Sequence, residues 1–174
     1  MISTKVTRFA LSLFLVTAYW ITSPVYAAGP TALTVKCVRK VEKSEPLYSD
    51  EKTGQYVGFS QASCNYKEVK GVGLFEGVKS TVREFDDFHG PNGDLHGITT
   101  GEKGGDSYRV EWDGHCFSLS GADGKPMNRC FGSWRFIDGS GTGRFAKIHG
   151  GGYFQSLELT QDSYEAEATG YYEQ

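Results

Sequence analysis

Six of the sixteen residues from 139 to 154, GSGTGRFAKIHGGGYF, are glycine, yet WRFI before them and YFQSLEL after them read as strands. Glycine inside sheet marks sharp bending or close approach of another backbone, because only glycine reaches φ > 0 without steric cost. Phe145 and Ile148 have opposite strand parity, so GRFAKIH cannot bury both as a plain strand. Their i, i+3 spacing suits a single tight helical turn. The expected path is a hinge at Gly139, Gly141 and Gly143, a turn that tucks Phe145 and Ile148 inward, and re-entry into the sheet through Gly150, Gly151 and Gly152. Strongly curved sheets and small barrels close at such points. A phosphate cradle is the rival reading, but the stretch has no Walker pattern and no βαβ context.

Elsewhere the chain alternates with period 2. In LTVKCVRKV, Leu33, Val35, Cys37 and Val41 share one parity, interrupted by Arg39. In SYEAEATGYYE, Tyr164, Ala166, Ala168 and Tyr172 face one way and Glu165, Glu167 and Glu173 the other. VKSTVREFDDF has a competing helical spacing in Val78, Val82 and Phe85, but its β-branched content favours strand. About eight to ten strands joined by Gly, Asp, Asn and Pro turns point to an all-β domain. The expected fold is a closed antiparallel barrel of about eight strands, with a β-sandwich as the alternative.

The central strands allow finer expectations. Asp113-Gly114 between DSYRVEW and HCFSLS is a two-residue hairpin signal. That turn would pair Trp112 with His115, Val110 with Phe117 and Tyr108 with Leu119 on the core face, leaving Arg109, Glu111, Cys116 and Ser118 on the other. The next turn, SGADGKP, is symmetric about Asp123 and sets Cys116 directly opposite Cys130. A Cys116–Cys130 disulfide follows, leaving Cys37 for Cys64. Trp134 and Phe136 then fall on the cysteine face unless a bulge at Gly132 swaps them, and that bulge is the expectation.

Residues 1–27 carry Lys5 and Arg8 ahead of the apolar ALSLFLVTAYWI and end in Val25-Tyr26-Ala27, the pattern of a cleaved export signal. A single domain over 28–174 remains. The apolar run is short for a membrane span, so none is expected after cleavage, and the product is periplasmic or secreted. An even count of four cysteines in an exported chain reads as structural disulfides. The signal carries two of the 18 Lys/Arg and none of the 21 Asp/Glu, so the mature chain is more acidic than the overall charge of −3. No basic patch offers itself to nucleic acid. The sequence does not determine the oligomeric state.

GSWRFIDGSGTGRFAKIHGGGYF resembles the tryptophan-led GTG-[KR]-[FY] signature of small secreted β-barrels of the allene oxide cyclase and dirigent type, and GDLHGITTGEKGGDSYRVEWDG is similar to the strand pair that precedes it there. The resemblance implies a calycin-like, eight-stranded barrel whose lumen takes apolar or phenolic small molecules and steers them by shape rather than by covalent chemistry. It carries no catalytic residue across to this chain.

Among residues that could carry function, Tyr108, Trp112, Phe117, Trp134, Phe136 and Tyr153 (with Phe131) are either a filled core or the wall of a ligand site. Asp86, Asp87, His89, Asp94 and His96 in EFDDFHGPNGDLHG offer oxygen and imidazole donors, but their spacing matches no closed metal motif and no metal or other cofactor is expected. His115 and His149 could do acid–base work beside Glu111 or Asp138. The leading expectation is a non-enzymatic barrel that binds a small apolar or aromatic ligand. The alternatives are an isomerase or cyclase, and a structural or interaction protein of the envelope or extracellular space.

Overall fold

A strand that alternates inward and outward residues needs a partner on each edge, and in this chain the strands supply one another. The computed structural model describes residues 29–120, 124, 126–160 and 162–174; the expected export segment 1–27 lies outside them. Nine strands follow in order: β1 (Thr31–Asp50), β2 (Gln55–Asn65), β3 (Lys67–Lys70), β4 (Lys79–His89), β5 (Asn92–Lys103), β6 (Asp106–Ser120), β7 (Pro126–Phe136), β8 (His149–Thr160) and β9 (Ser163–Glu173). All pairings are antiparallel. The order β2-β4-β5-β6-β7-β8-β9-β1 returns from β1 to β2 and closes an eight-stranded barrel. β3 runs on from β2 along the same edge of β1, with Lys36 facing Lys67 as Lys40 faces Ser63. The barrel expectation is what forms, and the sandwich alternative is not.

The lower end, where β1 begins and β9 finishes, is sealed by side chains. Phe75 and Val78 from the β3–β4 segment and Phe145 and Ile148 from the β7–β8 segment are all buried there. The Phe75 ring lies 5.5 Å from Tyr108, 5.9 Å from Phe145 and 5.3 Å from Tyr172. Each such buried ring contributes about 1.5–3 kcal/mol. The glycine-rich stretch behaves as its spacing implies. A 3-10 turn spans Gly143–Phe145 and presents Phe145 to the core. Gly143 takes φ +49°, and a Cβ on Gly141 would stand 1.8 Å from the Phe145 carbonyl oxygen.

Two local expectations fail together. Asp113-Gly114 makes no turn: β6 runs straight through it, with Leu95 facing Gly114 on one side and Gly132 facing it on the other. Tyr108, Val110, Trp112 and Cys116 therefore share the inner face, while His115, Phe117 and Leu119 point outward. The pairings of Trp112 with His115, Val110 with Phe117 and Tyr108 with Leu119 do not occur. With Cys116 and Cys130 inside, Trp134 and Phe136 reach the core in plain alternation, and the β6–β7 ladder passes Gly132 with no bulge.

Both expected disulfides form, Cys116–Cys130 between register partners and Cys37–Cys64 where the β1–β2 ladder has ended. Cys116 and Cys130 sit opposite each other with Cα atoms 4.0 Å apart, and Cys37 joins Cys64 at 5.9 Å.

Candidate functional site

An eight-stranded barrel is just wide enough to be filled by its own side chains. Here one half is filled and the other is not, and the inward residues explain the difference. The lower half turns Tyr108, Phe136 and Tyr172 inward; the upper half turns in Ser60, Ser118 and Ser156, with the Cys116 and Cys130 side chains drawn together in their disulfide. An apolar gap of about 90 Å³ is left beneath, between Trp112, Trp134 and the rings below. Above it opens a chamber of about 460 Å³.

The floor of the chamber is a buried ion pair. Arg39 on β1 donates from Nη2 to Oε2 of Glu84 on β4 at 2.6 Å, each side chain being only 10% exposed. Ser60 on β2 donates to the other Glu84 oxygen at 2.7 Å. The Arg39 guanidinium lies 5.8 Å from the centre of the Trp112 ring, and the Trp112 indole N–H donates to Thr99 Oγ1 at 3.1 Å. Arg39 Nε is buried with no hydrogen-bond partner among the described residues.

Asp86 follows Glu84 on the same inward face of β4 and also lines the chamber. Burial, reinforced by the Glu84 carboxylate and only partly offset by Arg39, pushes its carboxyl up to about 7. Tyr164 on β9 is held up at about 12, mainly by burial and then by the negative charges of Glu158 and Glu84, so it stays a neutral hydroxyl. Tyr56 on β2, Phe88 on β4 and Leu95 on β5 supply apolar wall. Ser118 donates to Asn128 Oδ1 at 2.6 Å across β6 and β7. The rim carries Ser44, Gly54, Gly90 and Asp162.

No protein-family model matches the chain, and no curated protein matches it. The chemistry of the chamber is therefore its own best guide.

The aromatic residues singled out from the sequence separate into two groups. Tyr108, Trp112, Trp134 and Phe136 point inward, where they are buried and line the lower gap. Phe117 lies on the outer surface because β6 does not turn at Gly114, and packs on Phe131 with ring centres 5.8 Å apart; Tyr153, on β8, also points outward and is 77% exposed. Gly141, Gly143, Phe145, Ile148 and Gly150 belong to the sealed lower end, away from the chamber.

The histidines are also outside the lumen. His96 pairs with Asp113 at 2.6 Å and His115 with Asp94 at 2.8 Å, both on the exposed face of β5 and β6. His89 stands 3.3 Å from Asp87. The carbonyl of Lys147 and then Glu173 raise the pKa of His149, with a smaller push from Asp138. Glu111 pairs with Arg135 rather than with a histidine. Among the described residues no three His, Cys, Asp or Glu side chains converge as metal ligands.

Sequence reading missed the chamber residues Arg39, Glu84 and Asp86 as a group. Their signal was present: Arg39 shares parity with Leu33 and Val35, and Glu84 and Asp86 share parity with Val78 and Val82. Opposite charges on the core faces of two strands announce a polar interior.

Proposed function

We propose that this protein is an exported, disulfide-stapled barrel that binds a small ring-bearing molecule in its upper chamber and releases it unchanged. The observation that carries this reading is the chamber itself. At about 460 Å³ it falls within the range of small-molecule sites, and it sets three aromatic side chains, Tyr56, Phe88 and Tyr164, in a predominantly polar lining. The resemblance of the GTGRF stretch to allene oxide cyclase and dirigent barrels supports a ligand held by shape. The lower lumen, by contrast, has room for little more than a few water-sized groups. Export is supported by the charged and apolar pattern of residues 1–27 and by two disulfides, which persist in oxidising compartments. No helix among the described residues is long and apolar enough to cross a membrane.

Trp112 lies directly under the Arg39 floor and reports on occupancy. Titrating phenolics and fatty acids should shift or quench tryptophan fluorescence with at least one ring compound, and silence across the whole panel would refute the reading. A second reading is favoured by one feature: a carboxyl poised near neutrality in a chamber suits general acid–base catalysis, as an isomerase needs. Incubating a bound compound in D₂O separates the two, since deuterium incorporation that depends on Asp86 marks proton transfer and its absence marks simple binding.

A further inference from the structure

Resting on the small-molecule reading above, we infer that the upper chamber selects a small organic amine, its ammonium seated against Asp86 among Tyr56, Phe88 and Tyr164.

Charge carries the first part of the argument. The charged side chains that line the chamber among the described residues are Arg39, Glu84, Asp86 and Asp162. Arg39 and Glu84 already neutralise each other at 2.6 Å, and Ser60 fixes Glu84 in that pairing. The balance left to a ligand is negative, from Asp86 within and Asp162 at the rim. An anion could reach Arg39 only at its buried, unpartnered Nε or by displacing Glu84, and would meet the carboxylates of Glu84, Asp86 and Asp162 beside it. A neutral ligand leaves Asp86 holding its proton and gains nothing from its charge. A cation is the one class that gains from the arrangement.

The walls argue the same way independently. Tyr56, Phe88 and Tyr164 come from three different strands, and aromatic faces carry a negative quadrupole that attracts ammonium groups, more so when water is displaced. Leu95 and the Cys116–Cys130 disulfide leave apolar surface for the body of the molecule.

Ionisation of Asp86 is then part of recognition. The titratable groups around it are Glu84 on its own strand, Tyr56 on β2, Arg39 on β1, Tyr164 on β9, and Glu158 and Asp162 from β8 and its turn; Leu95 on the β5 side is apolar. An ammonium takes the place of the proton that Asp86 otherwise retains near neutrality. Amine affinity therefore rises with pH through the titration of this carboxyl.

Calorimetry with three probes that share one ring tests the assignment: phenethylamine, 2-phenylethanol and phenylacetate. The amine should bind best and phenylacetate worst. Amine affinity should climb roughly tenfold from pH 6 to pH 8, following the ionised fraction of a carboxyl near 7. Asp86→Asn keeps the shape and removes the charge. It should weaken the amine at least tenfold and 2-phenylethanol far less, with circular dichroism confirming the fold. Asp162→Asn, at the rim, should produce a smaller loss of the same kind. Equal affinity for all three probes, or an amine affinity indifferent to Asp86→Asn, overturns the amine assignment while small-molecule binding survives. If none of the three binds, the amine assignment falls, and binding itself is then judged by the fluorescence panel.

Discussion

Removing one partner of a buried ion pair costs more than the pair contributes, because a charge is stranded away from water. Arg39 and Glu84 are such a pair, each 10% exposed. Glu84→Gln should lower unfolding free energy by about 3–5 kcal/mol in a denaturant titration at pH 7. A loss below about 1 kcal/mol would mean that water from the chamber solvates Arg39. Asp86 acts in the opposite sense. Its folded pKa is raised to about 7, above its value in an unfolded chain, so its contribution is fully present below about pH 4 and is lost as pH rises through 7. Asp86→Asn should flatten that decline and leave the variant more stable than the parent at pH 8, by about 2 kcal/mol after allowing for partial exposure to the chamber. A parent protein whose stability does not fall between pH 5 and pH 8 relative to Asp86→Asn would contradict the raised pKa. These residues were readable only in part. The interruption at Arg39 stood out in LTVKCVRKV, but Asp86 beside Asp87 looks like the start of an acidic loop until β4 is known to continue to His89. What a single strand's alternation cannot show is which other strand's inward charge it will meet.

Glycine placement governs the elements, and it explains both what was legible and what misled. Gly93, Gly97 and Gly101 repeat every fourth residue on the inner face of β5, and each lies opposite an aromatic on a neighbouring strand: Phe88, Trp112 and Tyr108. The rings lie over the bare backbone, close enough that a Cβ on Gly97 would meet Trp112 ring carbons at 2.1–2.8 Å. Rings seated over glycine stabilise a curved sheet without overfilling it. Gly114 belongs to the same scheme. It faces Gly132, and a Cβ on Gly114 would stand 2.6 Å from the Phe154 ring, so the glycine makes room for a side chain rather than for a turn. Asp-Gly signals a hairpin through φ > 0, but a glycine kept for lack of a side chain gives the same letters. The 139–152 bend was legible because its parity conflict between Phe145 and Ile148 had only one local solution. Gly97→Ala should cost about 1–3 kcal/mol, since Trp112 is buried, hydrogen-bonded to Thr99 and cannot swing aside freely. The displacement should also change the tryptophan emission of the folded state. Unaltered stability and emission would mean the ring has slack that the packing does not suggest.

Closure of the whole barrel depends on β1, which pairs with β9 over Thr31–Lys40 and with β2 from Lys40 to Asp50. Between Lys40↔Ser63 and Lys36↔Lys67 that seam has no backbone pairing among the described residues, and the Cys37–Cys64 disulfide spans the break. Cys116–Cys130 is placed differently: Gly114↔Gly132 and Ser118↔Asn128 continue the ladder on both sides of it. Chain entropy alone assigns the bridges similar effects. Their sequence separations of 14 and 27 correspond to about 3 kcal/mol for the shorter loop and roughly half a kcal/mol more for the longer. The seam adds a term that entropy does not contain, since without Cys37–Cys64 the lower half of β1 loses its covalent tie to the β2 side and depends more heavily on β9. The Cys37→Ser/Cys64→Ser variant should therefore lose clearly more stability than Cys116→Ser/Cys130→Ser. It should also show faster amide exchange at Thr31–Val38 and at the paired end of β9, while the β6–β7 variant keeps those amides protected. Equal losses, with protection intact in both, would mean that the hydrogen-bonded part of the seam holds the barrel shut without help from sulfur.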